Sequence, residues 1–226
     1  MQDWVIPPEA NGACVAGLEP GLETYAQPDD SRLPVVCMDE QPGPWLPETR
    51  VPIAATTHQA RRVDDEYERA GTASGFMGAE PLQGWRHGRV RAQRTTVDWA
   101  LEREARLRTR DAEAQPGLVV CDHFNTHTLG ACDEALAAAR ARQRVRRLAL
   151  RYTPKHGSGL NLAANERRAL TRHCWHDRRC GETKPRAEDT AAGSTSSHAK
   201  PRGVDWQFKI NDARTTLKSL YPNVKD

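Results

Sequence analysis

Short apolar runs, rather than long helical stripes, dominate the pattern of this chain. Two of them, PVVCMDE at 34–40 and GLVVCD at 117–122, are apolar almost throughout and then reach an acid. Runs of this length without alternation are typical of strands that are buried on both faces of a sheet. Three further strands are predicted at 72–80, 85–92 and 148–152, the first two forming an antiparallel pair around a turn at 81–84.

Helical spacing fills most of the intervals between these runs. Helices are predicted at 95–108, 129–147, 160–175 and from Asn211, as N-cap, to Leu220. In the first thirty residues Gly17, Pro20 and Gly21 interrupt the helical spacing, so a loose segment is predicted there. This order of elements predicts an α/β fold, an open mixed sheet covered by helices.

Two stretches show neither the hydrophobic period of a helix nor that of a strand. Residues 41–66 are rich in proline, threonine and charge, which predicts a long surface loop. Residues 181–203 (GETKPRAEDTAAGSTSSHAKPRG) are of low complexity, and we expect them to be disordered.

Charge is distributed unevenly along the 226 residues. The net charge is only +3, yet residues 1–70 hold thirteen acids against five bases, and residues 140–180 hold twelve bases against two acids. Such a basic block favours a polyanionic partner, of which nucleic acid is the commonest, although a solvated arginine-rich face is the alternative. We expect a cytoplasmic protein with no membrane partner, because no apolar run approaches the about 20 residues of a membrane span and the N-terminus lacks a signal pattern.

Acids at the ends of strands are the first candidates for chemistry. Ligands of open α/β sheets bind at the carboxyl ends of parallel strands, where both Asp39 and Asp122 are predicted to lie. If the two strands are neighbours, their carboxylates face one site; otherwise each is an ordinary strand-end residue. The tract HCWHDRRC at 173–180 offers four side chains that can bind zinc, but one short tract rarely completes a tetrahedral site.

Three blocks in this order resemble the catalytic blocks of bacterial insertion-sequence transposases of the 630 family, which belong to the mariner-like superfamily. The blocks are VVCMDE at 35–40, CDHFNTHT at 121–128 and YTPKHGSGLNLA at 152–163. The resemblance implies a ribonuclease-H-like mixed sheet, three antiparallel then two parallel strands, flanked by helices. It places the catalytic domain at 31–180, completed by a strand and a helix at 204–226.

Metal-dependent DNA chemistry is what this resemblance implies. Asp39 and Asp122 match the first two acids of a DDE site, which holds two Mg²⁺ or Mn²⁺ ions for cleavage and strand transfer at transposon ends. The implied partners are DNA, both transposon ends and target, and a second copy of the chain, in a bacterial cytoplasm near the nucleoid. His127 and Asn161 match supporting positions, and contacts to DNA phosphates are expected from Lys155, His156, Arg167 and Arg168.

The third block departs from the family pattern. Where the family has GSWLNxxE, this chain has Gly159 at the tryptophan position and Ala164 at the glutamate position. Glu166 is a weak substitute, because at about 100° per residue it points about 200° away from position 164 unless the register shifts. Residues 1–30 are then expected to be a remnant linker from a missing N-terminal DNA-binding region.

Two functions of different class follow from these observations. The chain is either a transposase-type nuclease, impaired by the loss of the third acid, or a non-catalytic DNA-binding or dimerisation remnant; a chain that does not fold stably is a third possibility. Position 164 discriminates between the first two, and alanine there favours the remnant.

Overall fold

The computed structural model describes residues 11–66, 68–110, 117–155, 157–175 and 183–222. Its five strands are β1 (Val35–Trp45), β2 (Gly71–Glu80), β3 (Trp85–Arg91), β4 (Gly117–Cys121) and β5 (Leu148–Tyr152). Its seven helices are α1 (Gly12–Ala26), α2 (Thr96–Thr109), α3 (Ala131–Ala135), α4 (Ala138–Val145), α5 (Ala163–Leu170), α6 (Thr183–Ala199) and α7 (Ile210–Thr216). A π-helical turn over Thr171–Trp175 continues α5.

One mixed sheet organises these elements, in the strand order β3-β2-β1-β4-β5. The strand β1 pairs antiparallel with β2, which pairs antiparallel with β3 across a turn in which Gly84 has φ +72°. On its other side β1 pairs parallel with β4, and β4 pairs parallel with β5. The predicted α/β fold is thereby confirmed, with three antiparallel strands followed by two parallel ones.

Helices cover both faces of the sheet, which explains why β1 begins as an unbroken buried run. Because side chains alternate along a strand, Val36 and Met38 pack in a cluster with Trp99 of α2 and with α3 and α4. Val35 and Cys37 point the other way, into a second cluster that includes Tyr25 of α1 and the start of α5. The central strand is therefore buried from two sides.

The predicted loose segment at 1–30 is wrong for residues 12–26, which form α1. Asn11 caps this helix by accepting a hydrogen bond from the Cys14 backbone amide at 3.0 Å. An internal proline costs about 3 kcal/mol, but α1 buries Leu18, Leu22 and Tyr25, each of which contributes about 1.5–3 kcal/mol. Since Leu18 and Leu22 pack with α7 and Leu160, this segment is part of the domain core and not a linker.

The predicted disorder at 181–203 is also corrected, because Thr183–Ala199 forms α6 against β3. The buried residues of α6 are Arg186, Thr190 and Ser194, a polar stripe at intervals of four residues. Ser194 Oγ accepts a hydrogen bond from the Gly88 backbone amide at 3.0 Å, and Thr190 Oγ1 accepts one from the Trp175 indole at 3.1 Å. The prediction of disorder rested on the scarcity of apolar side chains. The helix is instead held by the hydroxyl groups of Thr190 and Ser194, which bind Trp175 and β3. Residues 181–182 lie outside the described residues.

Smaller differences concern the ends of elements. The predicted helix at 129–147 is two helices, α3 and α4, and the predicted C-terminal helix is α7 followed by a 3-10 turn over Lys218–Leu220. Lys209, not Asn211, is the N-cap of α7, and its backbone amide donates to the Asp212 carboxylate at 2.8 Å. Residues 204–209 form no strand, contrary to prediction.

Within the ranges given above, none of the helices has the length and the apolar character needed to cross a membrane.

Replacing Gly88 with alanine should lower the free energy of unfolding by about 1–3 kcal/mol through overpacking. The added Cβ would lie 2.5 Å from Thr190 Cγ2, where β3 meets α6. The matched control is Gly78→Ala on β2, whose added Cβ meets nothing closer than the His87 carbonyl oxygen at 3.9 Å. Urea unfolding measures both, and adding Thr190→Ser to Gly88→Ala should recover part of the loss. Equal effects at the two glycines would show that α6 does not pack on β3.

Candidate active site

The pairing of β1 with β4 brings two acids to the same edge of the sheet. The register aligns Val35 with Leu118 and Cys37 with Val120. Two residues further along each strand come Asp39 and Asp122, which therefore lie level with each other and on the same face. The prediction that the strands carrying these two acids are adjacent and parallel is confirmed, but Asp39 does not end its strand, because β1 continues to Trp45 through residues predicted as a loop.

Asp39 is buried, with 6% of its surface exposed. Burial raises the pKa of its carboxyl group; the Arg167 guanidinium lowers it, and the charge of Asp122 raises it again. Arg167 Nε donates to Asp39 Oδ2 at 2.5 Å, and the backbone amide of Glu40 donates to Asp39 Oδ1 at 2.9 Å. Both carboxylate oxygens thus have donors from the protein itself.

Asp122 is held by two neutral side chains. Thr153 Oγ1, just after β5, donates to Asp122 Oδ1 at 2.9 Å. Asn161 Nδ2 lies 3.4 Å from the same oxygen and donates to the Met38 carbonyl oxygen at 2.8 Å. Asn161 is fully buried, so it connects the end of β4 to β1 from the loop before α5. The structure therefore places Asn161, predicted as a supporting residue, beside Asp122 and the backbone of β1.

A second ionic contact lies on the opposite face of β1. His127 Nε2 lies 2.9 Å from Glu40 Oε2, and its Nδ1 lies 2.8 Å from the Asp122 backbone carbonyl oxygen. Both partners can accept, and the imidazolium form of the ring donates to both of them at once. Burial lowers the pKa of His127, but hydrogen bonds to Cys121 and Glu40 and the Glu40 charge outweigh it and raise the pKa to about 10.

Sequence reasoning expected His127 to support Asp122 and missed its partner Glu40. The two side chains are 1% and 2% exposed, and the His127 ring stacks on Trp99 of α2 with centroids 5.5 Å apart. The sequence did indicate which face Glu40 lies on, because a second acid directly after Asp39 in a strand must point to the opposite face. Nothing in the sequence spacing of 40 and 127 indicated the pair.

The third-acid position supplies no ligand. Ala164 lies in the first turn of α5, and its side chain is a methyl group. Glu166 forms an ion pair with Arg86 of β3, so its carboxylate is engaged away from Asp39 and Asp122. The substitute considered from the sequence is therefore not brought to the site.

Arg167 is placed differently from its predicted role at DNA phosphates. Its Nε donates to Asp39, and its NH1 donates to Gln41 Oε1 at 2.8 Å, an oxygen that also accepts from Thr171 Oγ1 at 3.2 Å. Sequence analysis missed Gln41 as a component of this contact. Of the other expected phosphate contacts, Lys155 and Arg168 are exposed, and His156 lies outside the described residues.

These side chains do not fit the pair of Mg²⁺ or Mn²⁺ ions that the resemblance implies. Over the part of the chain that the structure describes, no three His, Cys, Asp or Glu side chains form a group that could hold a metal ion. Two carboxylates are present, and the Arg167 guanidinium donates to one of them, so a pair of divalent ions would have to share Asp122 and displace Arg167 from Asp39. The zinc-capable tract at 173–180 lies partly outside the described residues, at 176–180.

No family model and no curated protein matches the chain. Among solved structures, a Mos1 mariner paired-end complex with Mn is 14% identical, with a TM-score of 0.48, over 89% of this chain and 63% of that one. The Mos1 strand transfer complex is 11% identical, with a TM-score of 0.48, over 89% of this chain and 62% of that one. A Mos1 paired-end complex with Mg is 12% identical, with a TM-score of 0.47, over 99% of this chain and 67% of that one. The chain thus spans less than two thirds of the length of each of the first two structures.

Replacing His127 with leucine should destabilise the fold by about 3–5 kcal/mol near pH 6, because Glu40 is left as a buried charge without a partner. The pKa of His127 is raised to about 10 in the folded protein, against a usual value of 6.5. The contribution of the imidazolium is therefore fully present below pH 6.5 and is lost as the pH rises towards 10. The difference in unfolding free energy between wild type and His127→Leu should shrink over that range, as measured by urea unfolding at each pH. A difference independent of pH would show that His127 is neutral in the folded protein.

Proposed function

We propose that this chain is a DNA-binding domain of transposase descent that does not cleave DNA. The observation that carries the proposal is the site itself: Asp39 and Asp122 lie level on adjacent parallel strands, and Ala164 stands at the position of the third acid. The first feature supports descent from a DDE-type nuclease of the insertion-sequence 630 kind. The second supports loss of its activity.

Of the two functions considered from the sequence, the non-catalytic one is better supported. Phosphodiester cleavage of this type needs two divalent ions held by several carboxylate oxygens. The two acids here have protein donors on them, from Arg167 to Asp39 and from Thr153 to Asp122. Among the described residues none offers a third carboxylate to this edge of the sheet.

DNA remains the partner that the surface favours. Several arginines of the basic block are engaged within the protein; Arg140 and Arg144, for example, form ion pairs with Glu104 of α2. In the described part of the block, five other arginines and one lysine are exposed and available for phosphates: Arg142, Arg146, Arg151, Lys155, Arg168 and Arg172. Cationic side chains contact the DNA backbone, which is the same in every sequence, and we therefore propose binding without sequence preference. Pairing of two copies on transposon ends belongs to the same proposal.

Binding to duplex DNA should be steeply dependent on salt, with each phosphate contact contributing about −0.9 to the slope of log K against log salt. Lys155→Gln combined with Arg168→Gln should make the slope shallower by about 1.8, if each side chain holds one phosphate. Fluorescence anisotropy over a series of salt concentrations measures this on two unrelated duplexes. The control is Arg32→Gln, which removes an exposed arginine paired with Asp30 and should leave the slope unchanged. A slope near zero, or strong preference for one duplex, would refute the proposed binding mode.

Wild-type protein should not nick supercoiled plasmid in the presence of Mg²⁺ or Mn²⁺, because the site lacks the third oxygen ligand. Gel electrophoresis of the plasmid measures nicking, and Asp122→Ala serves as the control for contaminating nuclease. Nicking by the wild type that is absent in Asp122→Ala would contradict the non-catalytic proposal. Nicking of equal extent in both would come from a contaminant and would leave the prediction standing once it is removed by further purification.

A further inference from the structure

Two neighbouring carboxylates require a cation, and at Asp39 the Arg167 guanidinium supplies it. Two acids lie close enough for the charge of Asp122 to act on Asp39. Among the described residues, the hydrogen bonds to these carboxylates come from Arg167 and from three neutral groups: the Glu40 backbone amide, Thr153 and Asn161. The guanidinium is thus the cation in contact with this pair of carboxylates.

Helix geometry explains how Arg167 reaches this place. It lies three residues after Ala164, so the two share one face of α5. Side chains on a helix lean toward its N-terminus, and the long arginine therefore extends back over the turn that contains position 164. A methyl group at 164 leaves room for it.

The guanidinium is held from two sides, which makes it a fixed feature of the site. Besides Asp39 it binds Gln41 Oε1, two residues further along β1, and Thr171 Oγ1 binds the same amide oxygen. Asp39 and Gln41 lie on the same face of β1 because side chains alternate along the strand. A metal ion arriving at Asp39 must break the contact with Oδ2 and displace a side chain that Gln41 also retains.

We propose that Arg167 is the resident cation of the Asp39–Asp122 site and excludes a divalent metal ion from it. The proposal rests on the assignment of these two acids as the former catalytic pair. It goes beyond the loss of the third acid, because it states that restoring an acid at 164 is not enough. Metal binding should return only when the arginine is removed as well.

Binding of Mn²⁺, followed by electron paramagnetic resonance of the free ion, tests this in folded, full-length variants. Wild type, Ala164→Glu and Arg167→Gln should each bind Mn²⁺ poorly. The double variant Ala164→Glu/Arg167→Gln should bind at least about tenfold more tightly than either single variant, which corresponds to one decade in Kd. Glutamine at 167 keeps the capacity to hydrogen-bond Asp39 and Gln41 but carries no charge, so the helix retains its contacts.

The matched control is Ala164→Glu/Arg168→Gln, which removes the neighbouring, exposed arginine of the same helix. Its Mn²⁺ affinity should equal that of Ala164→Glu alone, because Arg168 does not contact the acids. Adding Asp122→Ala to the tight-binding double variant should abolish the gain. Thermal unfolding gives a second readout: Mn²⁺ should raise the Tm of the Arg167 double variant and leave that of wild type unchanged.

Three outcomes would overturn the proposal. Ala164→Glu alone could bind Mn²⁺ as tightly as the Arg167 double variant, the Arg168 double variant could match it, or the folded Arg167 double variant could gain no affinity. Failure of the proposed function is distinct, because it appears as wild-type nicking or as DNA binding that is insensitive to salt. The salt titration needs no divalent ion, so its failure leaves the Mn²⁺ result unaffected, whereas wild-type nicking needs bound metal and would count against both proposals.

Discussion

Two carboxylates side by side, one buried and one half-buried, are the constraint on which the centre of this molecule depends. The parallel pairing of β1 with β4 fixes Asp39 and Asp122 at one level. The two acids could separate only if the hydrogen bonds between these strands were broken. The charge of Asp122 raises the pKa of Asp39, and like charges in such a place destabilise the fold unless a cation or hydrogen-bond donors compensate. The surrounding side chains are arranged around this requirement, with Arg167 on one acid and Thr153 and Asn161 on the other.

The strand β1 carries a second buried charge with its own compensation. Asp39 faces α5, and Glu40 faces α2 and α3, where the His127 imidazolium meets it. The same histidine also donates to the backbone carbonyl oxygen of Asp122, so the two faces are joined at the end of β4. A change on either face therefore affects the position of Asp122, which gives the His127–Glu40 pair a structural part in the site although it holds no ligand.

Polar side chains take a larger share of the packing than composition suggests. The helix α6 lies on β3 through Thr190 and Ser194, whose hydroxyl groups bind Trp175 and the Gly88 amide. Glycine at 88 permits this close approach, since a methyl group there would meet Thr190. A low hydrophobic content of 38% is thus compatible with two covered faces, because hydrogen bonds between close surfaces substitute for some of the apolar area.

The sequence by itself determined the sheet and the position of the two acids. Unbroken apolar runs ending in Asp39 and Asp122 predicted strands buried on both faces, and the turn at 81–84 predicted the hairpin; both are local patterns that reflect burial directly. The absence of an acid at 164 was equally visible. The tertiary structure alone decided that α1 and α6 form, because neighbouring surfaces compensate for a proline in one and for the lack of apolar residues in the other. It alone decided that Arg167 lies on Asp39, 128 residues away in the chain, and that Glu40 meets His127. Charged side chains that are distant in the sequence become partners only when folding brings them together. The spacing of residues along the chain therefore does not predict which of them pair.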